Sequence, residues 1–324
     1  MDMSKAEVDH EFLPFLRVYK DGHVERLLGT DSVPASLDSE TGVSSKDVLI
    51  VPDSGVSARL YLPKLADANQ KLPILVYFHG GGFIIGHPST PMYHHHLNLL
   101  VAEANIVAVS VAYRLAPENP IPAAYDDSWA ALQWVASHSK GEGPESWLTE
   151  HADFGRVFLA GESSGANIAH HMAMRAGDPN SGGLGMEILG IALVHPHFWG
   201  ATPIGSEAMA PVKALFDRLW PYVCPSQPDN DDPQINPLAA NAPSLLGLGC
   251  TRVIVFVAGK DALRDRGWLY YESLARSGWI GVVEFAETEG EEHGFHLYNP
   301  NTETARELLK RLAFFLNRER PPLV

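Results

Sequence analysis

Residues 156–171 read RVFLAGESSGANIAHH. The stretch opens on a compact apolar run, 157–160, turns through Gly161-Glu162-Ser163-Ser164-Gly165, and then takes up helical spacing. Ile168, Ala169, Met172, Ala173 and Ala176 supply that spacing. A serine at the centre of G-x-S-x-G, with a strand before it and a helix after it, occupies the sharp turn known as a nucleophile elbow. The glycines have a physical task, because on so tight a turn the backbone passes too close to its neighbours to leave room for a Cβ. The turn lifts the Ser163 hydroxyl clear of the sheet. It also aims the first free N–H groups of the helix at whatever the serine attacks. A plain glycine–serine loop satisfies the same short pattern, so the flanking strand and helix carry the reading.

Outward from the elbow, strand-like and helix-like segments alternate. Strands are expected at 72–78 (LPILVYF), 106–112, 188–194, 252–258 and 282–288, and helices at 91–104, 122–137, 266–277 and 301–317. The run at 72–78 has no polar residue, as expected of a strand buried on both faces of a parallel sheet. Residues 47–51 and 56–62, joined by Pro52-Asp53-Ser54-Gly55, read as an antiparallel hairpin. The pattern predicts an α/β fold, with a mostly parallel central sheet and helices on both faces. Two segments break the rhythm. In residues 1–45, the stretch 11–19 fits either a short amphipathic helix or an arm packed over the body, and 29–45 reads as an extended connection. Residues 196–247 are proline-rich, with a helical piece at 211–220 and the acidic run Asp229-Asn230-Asp231-Asp232. A long insertion between sheet strands is expected to act as a lid. The expectation is one domain, 1–324, with a helical cap formed by about 1–45 and 196–247.

Composition excludes several classes. Of 324 residues, 45% are hydrophobic and 19% charged, as in a globular chain with a sizeable core. The 24 Lys and Arg stand against 39 Asp and Glu, a formal charge of −15 with no basic block, so no nucleic-acid or anionic-membrane partner is expected. The two cysteines, Cys224 and Cys250, have no metal or redox spacing and read as reduced thiols. No signal peptide, membrane-length apolar run, N-x-S/T acceptor or retention signal is found, which sets a cytoplasmic expectation. Monomer and homodimer both stay open.

A serine hydroxyl is a weak nucleophile until a base takes its proton, and the base needs an acid to orient it. In α/β-hydrolases these follow in the order Ser, Asp/Glu, His, each just past a strand. Gly259-Lys260-Asp261 follows the strand at 252–258, and Glu289-Gly290-Glu291-Glu292-His293 follows the strand at 282–288. Ser163, Asp261 and His293 are therefore the expected triad, with Asp265 and His296 as rivals further from the strand ends. His79-Gly80-Gly81-Gly82 follows a buried strand and matches the HGGG type of oxyanion loop. Gly81, Gly82 and Ser164 are the expected N–H donors. His94-His95-His96 lie consecutively on a helix and point different ways. With no H-E-x-x-H or Cys/His ligand spacing, neither metal nor cofactor is expected. His170 and His171 read as packing or surface residues.

The combined motifs HGGGF, YRLAPE, GESSGANIAH, GKDALRDRGW and EGEEHGFHLY resemble the plant carboxylesterases of the hormone-sensitive-lipase-like α/β-hydrolase family. The likeness extends to FLRVYKDGHVERLLG near the N-terminus and to INPLA. By motif it is strongest for the carboxylesterases named 2-hydroxyisoflavanone dehydratase-like. The resemblance implies hydrolysis of small carboxylic esters through an acyl-enzyme without a cofactor, and it supports the same triad and oxyanion donors. Most members have Asp before the nucleophile where this chain has Glu162. Some dehydratases carry Thr where this chain has Ser163, which favours esterase over dehydratase while leaving the lyase as the alternative. Related gibberellin receptors lack the catalytic histidine, whereas His293 is present here.

Overall fold

The computed structural model describes residues 7–319. The strands are β1 (Val8–Phe12), β2 (Leu16–Tyr19), β3 (Val24–Arg26), β4 (Ser44–Val51), β5 (Val56–Leu62), β6 (Leu72–Phe78), β7 (Val107–Ala112), β8 (Ala152–Glu162), β9 (Gly190–Val194), β10 (Arg252–Ala258) and β11 (Val282–Thr288). The helices are α1 (Pro91–Ala104), α2 (Ala123–Ser137), α3 (Ser146–His151), α4 (Ser164–Gly177), α5 (Lys213–Val223), α6 (Arg264–Arg276), α7 (Phe295–Tyr298) and α8 (Glu303–Leu316).

The main sheet has eight strands in the order β11-β10-β9-β8-β6-β7-β5-β4. From β7 to β11 every pairing is parallel; β5 pairs antiparallel to β7, and the expected hairpin β4–β5 closes that edge. Period-two alternation divides the core into two layers. Along β6, Leu72, Ile74, Val76 and Phe78 face the layer that holds Trp129 and Leu132 of α2 and Ile168 and Met172 of α4. Leu75 and Tyr77 face the other layer, with Leu97 and Leu100 of α1 and Leu308 and Leu312 of α8. Because the strands run parallel, their carboxyl ends lie along one edge, where the loops after β6, β8, β10 and β11 emerge side by side. Among the described residues no helix is long and apolar enough to cross a membrane.

Of the two forms expected for 11–19, the helix is not formed, while the segment does pack over the body, with Phe12, Leu16 and Val18 joining its core. The N-terminal segment is a three-stranded antiparallel meander, β1-β2-β3. Pro14 interrupts any helix there, and the burial of Leu16 and Val18 against the partly exposed Arg17 and Tyr19 follows the period of a strand. Helices α3 and α7 went unforeseen, being too short to show helical periodicity. Helix α5 runs past its expected end and contains Pro221. The carbonyl of Asp217, which Pro221 cannot bond, accepts instead from Asn230 Nδ2 at 3.0 Å.

The 196–247 segment is anchored by a buried ion pair. Arg266 of α6 reaches Glu207 with Nε at 2.7 Å and Nη2 at 3.0 Å, and Nη2 also donates to the Thr202 carbonyl at 2.7 Å. Glu207 is fully buried and also accepts from the Ile204 N–H at 2.8 Å. Breaking such a pair from one side leaves an uncompensated charge, which is more damaging than never having had the pair. Glu207→Ala is expected to lower the unfolding free energy by about 3–5 kcal/mol, measured as a fall in the denaturant midpoint at unchanged slope.

Candidate active site

Ser163 sits between the end of β8 and the start of α4 with φ 55° and ψ −119°. Few non-glycine residues hold a positive φ, and here the surroundings enforce it. The Ser163 N–H donates to the Val194 carbonyl at 2.9 Å, and its carbonyl accepts from the His197 N–H at 3.0 Å. A Cβ on Gly161 would overlap the Gly165 backbone, and one on Gly165 would overlap the Phe78 carbonyl oxygen. The elbow therefore lies directly on the last residue of β6, and side chains at 161 or 165 would force it away.

The chain beyond Phe78 is the glycine loop. His79 is fully buried, stacked on Tyr113 with centroids 4.3 Å apart, and donates from Nδ1 to the Gly80 carbonyl at 2.8 Å. Burial lowers its pKa to about 3, so it stays neutral and serves as a brace. The Tyr113 hydroxyl donates to the His79 carbonyl at 2.6 Å. Gly81 has φ 105°, and a Cβ there would collide with the Ile85 carbonyl. The carbonyl of Gly81 accepts from the N–H groups of Ile84 and Ile85 at 3.0 and 3.1 Å, while the N–H groups of Gly81 and Gly82 bond to no other backbone group among the described residues. One guanidinium fixes the loop from outside: Arg26 of β3 donates to the carbonyls of Ile84 (2.8 Å) and Ala116 (3.1 Å) and pairs with Glu118.

Two further loops meet at the same edge. The Gly259 N–H donates to the Thr288 carbonyl and the Lys260 N–H to the Glu291 carbonyl, both at 2.9 Å, so the turns after β10 and β11 run alongside each other. This brings Asp261 Oδ2 within 2.6 Å of His293 Nδ1, and Asp261 Oδ1 accepts from the Leu263 N–H at 3.0 Å. The other ring nitrogen, Nε2, lies 3.1 Å from Glu162 Oε1. Burial would lower the His293 pKa, but Asp261 and then Glu162 outweigh it and hold the ring well above its ordinary value. Burial raises the Asp261 pKa and the His293 charge more than reverses this, leaving the carboxyl below its usual range. The rivals lie elsewhere: Asp265 accepts from the Ser206 N–H at 2.7 Å, and His296 packs between His96 and His195.

Ser163, Gly81, Gly82, Glu162 and His293 line one cavity of about 630 Å³, whose other walls include Phe15, Tyr93, Phe216 and Leu219. Phe15, Phe216 and His293 also face a neighbouring cavity of about 1190 Å³. On the other side Ile85, Met92, Tyr93 and Tyr298 face one of about 650 Å³. The crevice thus continues in two directions from the serine. His195, Asp261 and His293 bring three groups of metal-binding type within 4.8 Å. Within the group, Nδ1 of His293 donates a hydrogen bond to Asp261, and Nδ1 of His195 accepts from the Gly294 N–H at 3.2 Å.

Several residues that shape the site were not singled out by motif. Asn167 donates from Nδ2 to the carbonyls of His197 (3.1 Å) and Gln234 (2.8 Å) and accepts from the Tyr125 hydroxyl at 2.7 Å, tying α4 to the 196–247 segment. His195 and His197 were foreseeable by position alone, because they directly follow β9 at the edge where the other loops emerge. Of the packing histidines, His170 bonds the Tyr270 hydroxyl at 3.0 Å and His171 the Gln234 carbonyl at 2.8 Å. His94 bonds the Tyr61 hydroxyl at 3.0 Å, while His96 is buried against Tyr77.

Comparison with known proteins identifies the fold family. The α/β hydrolase fold family is matched over residues 75–297. A protein of Arabidopsis thaliana named probable carboxylesterase 2 is 47% identical over 98% of this chain and 99% of its own. A 2-hydroxyisoflavanone dehydratase of Glycyrrhiza echinata is 50% identical over 97% of each. Among solved structures, a thermostable carboxylesterase cloned from a metagenomic library superposes with a TM-score of 0.70 at 31% identity, covering 88% of this chain and 90% of that one. The chain belongs to the α/β-hydrolase fold family, and it resembles the plant carboxylesterases and 2-hydroxyisoflavanone dehydratases of that family along nearly its whole length.

Proposed function

We propose that the protein is a serine carboxylesterase that hydrolyses small carboxylic esters through an acyl-enzyme. The observation that carries this reading is convergence. An elbow serine, two glycine N–H groups with no backbone partner among the described residues and a histidine held by a carboxylate at 2.6 Å all meet at one cavity. Ser163 is the nucleophile, His293 the general base and Asp261 its orienter. The N–H groups of Gly81, Gly82 and Ser164 form the oxyanion hole.

In the first step Nε2 of His293 takes the Ser163 proton as Oγ bonds to the ester carbonyl carbon. The carbonyl π pair moves onto oxygen, where the three N–H groups hold it; each such donor is worth roughly 3–4 kcal/mol of barrier. Collapse expels the alcohol, which leaves with the proton from Nε2. Water then repeats the sequence on the acyl-enzyme and releases the acid. Asp261 stays ionised throughout, fixing the tautomer and stabilising the imidazolium. No cofactor enters the scheme. The two directions of the crevice suit the two halves of an ester. The meander and the 196–247 segment, through Phe15, Phe216 and Leu219, are read as its cap. A cytosolic place of action and an assembly no larger than a homodimer belong to the same proposal.

A dehydratase acting on a hydroxyflavanone-type substrate is the second reading, favoured by the relative of that name at 50% identity. Incubation with such a substrate decides it: absence of the dehydrated product removes the lyase.

Ser163→Ala is expected to lower kcat toward a short-chain aryl ester by about a million-fold while circular dichroism and melting stay unchanged; undiminished turnover would sink the mechanism. The base must be neutral to accept a proton, and its pKa is raised. The kcat/KM profile should therefore fall with decreasing pH along an acid limb centred above 6.5, the ordinary histidine value. A limb at or below that value contradicts the electrostatics described.

A further inference from the structure

Glu162 directly precedes the nucleophile, is 4% exposed, and has no task in the mechanism above. Its two oxygens have separate partners. Oε2 accepts from the Tyr93 hydroxyl at 3.4 Å, and Oε1 lies 3.1 Å from Nε2 of His293. The opposite ring nitrogen is 2.6 Å from Asp261. An ionised carboxylate accepts hydrogen bonds and donates none. A ring held by a carboxylate at each nitrogen therefore carries a proton on each, and His293 in this arrangement is an imidazolium between two anions. Nε2 is also the atom that has to receive the Ser163 proton, so Glu162 and Ser163 compete for it. Space for Glu162 is built in, since a Cβ on Gly80 would overlap its carboxylate.

We propose that Glu162 is a positioning residue for His293, holding the ring as a cation between turnovers and lending its charge to the imidazolium that re-forms in the transition state. The inference rests on the reading of His293 as general base. Before each turnover the proton on Nε2 leaves to solvent and the ring swings from Oε1 toward the serine hydroxyl. Once the ring has taken the Ser163 proton, the second carboxylate stabilises the new cation, so the anion that delays the base at low pH strengthens it at high pH.

Among the described residues no other group facing the ring competes for this role. From the end of β9, His195 and His197 approach it, and burial lowers both to a pKa of about 3, so they add no charge at neutral pH. His296 on α7 is likewise held well below its ordinary value by burial. Tyr93 on α1 and Tyr298 on α7 face Glu162, and burial pushes both hydroxyls up, so they stay neutral. Lys260 and Glu292 line the adjoining cavity and are of opposite sign. The pair Asp261 and Glu162 is what remains to set the charge of His293.

Two measurements separate this proposal from the reading it rests on. One is NMR titration of the His293 ring, which needs no substrate. The other is the pH profile of 4-nitrophenyl acetate hydrolysis. Both are applied to the wild type, Glu162→Gln and Glu162→Asp. In Glu162→Gln the NMR pKa of His293 and the acid limb of kcat/KM should both fall by about one unit or more. The plateau of kcat at high pH should drop about tenfold with little change in KM. Glu162→Asp keeps the charge at shorter reach and should lie between. Should Glu162→Gln fail to fold, Glu162→Asp carries the same comparison with a smaller shift. An NMR pKa that stays put in the folded variant overturns the proposal, as does an acid limb that does not follow the NMR shift. A wild type that turns over no ester, yet shows the NMR shift, keeps the Glu162–His293 pairing and overturns the esterase reading instead.

Discussion

The site depends on one close approach of backbone to backbone. The turn from β8 into α4 lies against the carboxyl end of β6 with no side chain between them, because positions 161 and 165 carry no Cβ. That contact holds Ser163 at positive φ, and it does more than present a hydroxyl. Phe78 leads straight into His79-Gly80-Gly81-Gly82, so the strand end that receives the elbow is the same one that delivers the glycine N–H groups. Ser163 and the N–H groups of Gly81 and Gly82 are thereby placed by a single packing event, and neither can drift without the other. In the proposed mechanism such pre-placed donors are effective because they need no reorganisation as charge develops.

Electrostatics then distinguishes residues of the same type. His79, His195 and His197 are buried, face no carboxylate close enough to compensate, and are neutral with pKa values of about 3. His293 is only a few ångströms from His195, with ring centroids 5.6 Å apart, yet is shifted the other way. What differs is the partner: two carboxylates lie against the nitrogens of His293, whereas Asp261, within 4.8 Å of His195, only partly offsets the burial of His195 and His197. The neutral histidines instead position backbone, as His79 does at Gly80 and His195 at Gly294.

The legible part of this architecture shares one property. Ser163, Gly81, Gly82, Asp261 and His293 each follow an apolar run, and apolar runs are what a chain displays most clearly. Strand ends in a parallel sheet gather at one edge, so order along the chain translated into proximity. The N-terminal segment was less legible because Phe12, Leu13, Phe15, Leu16 and Tyr19 satisfy helical and alternating patterns alike, and the decision falls to Pro14 and to packing that no local pattern records. The partners of Glu162, Asn167 and Glu207 were illegible for a different reason. Each is a polar contact between segments distant in the chain, fixed by side-chain reach. The charge of Glu162 could be read, but its aim at His293 Nε2 could not.

Arg26 has a mechanical consequence. Its single guanidinium bonds the carbonyls of Ile84 and Ala116 and the carboxylate of Glu118, so the meander and the glycine loop share one rivet. The N-terminal strands are thus joined to that loop by a polar bond as well as by the core packing that Phe12, Leu16 and Val18 share with Phe83, Ile84 and Ile85. Displacing the N-terminal strands would therefore remove the bonds that Arg26 makes to the loop after β6.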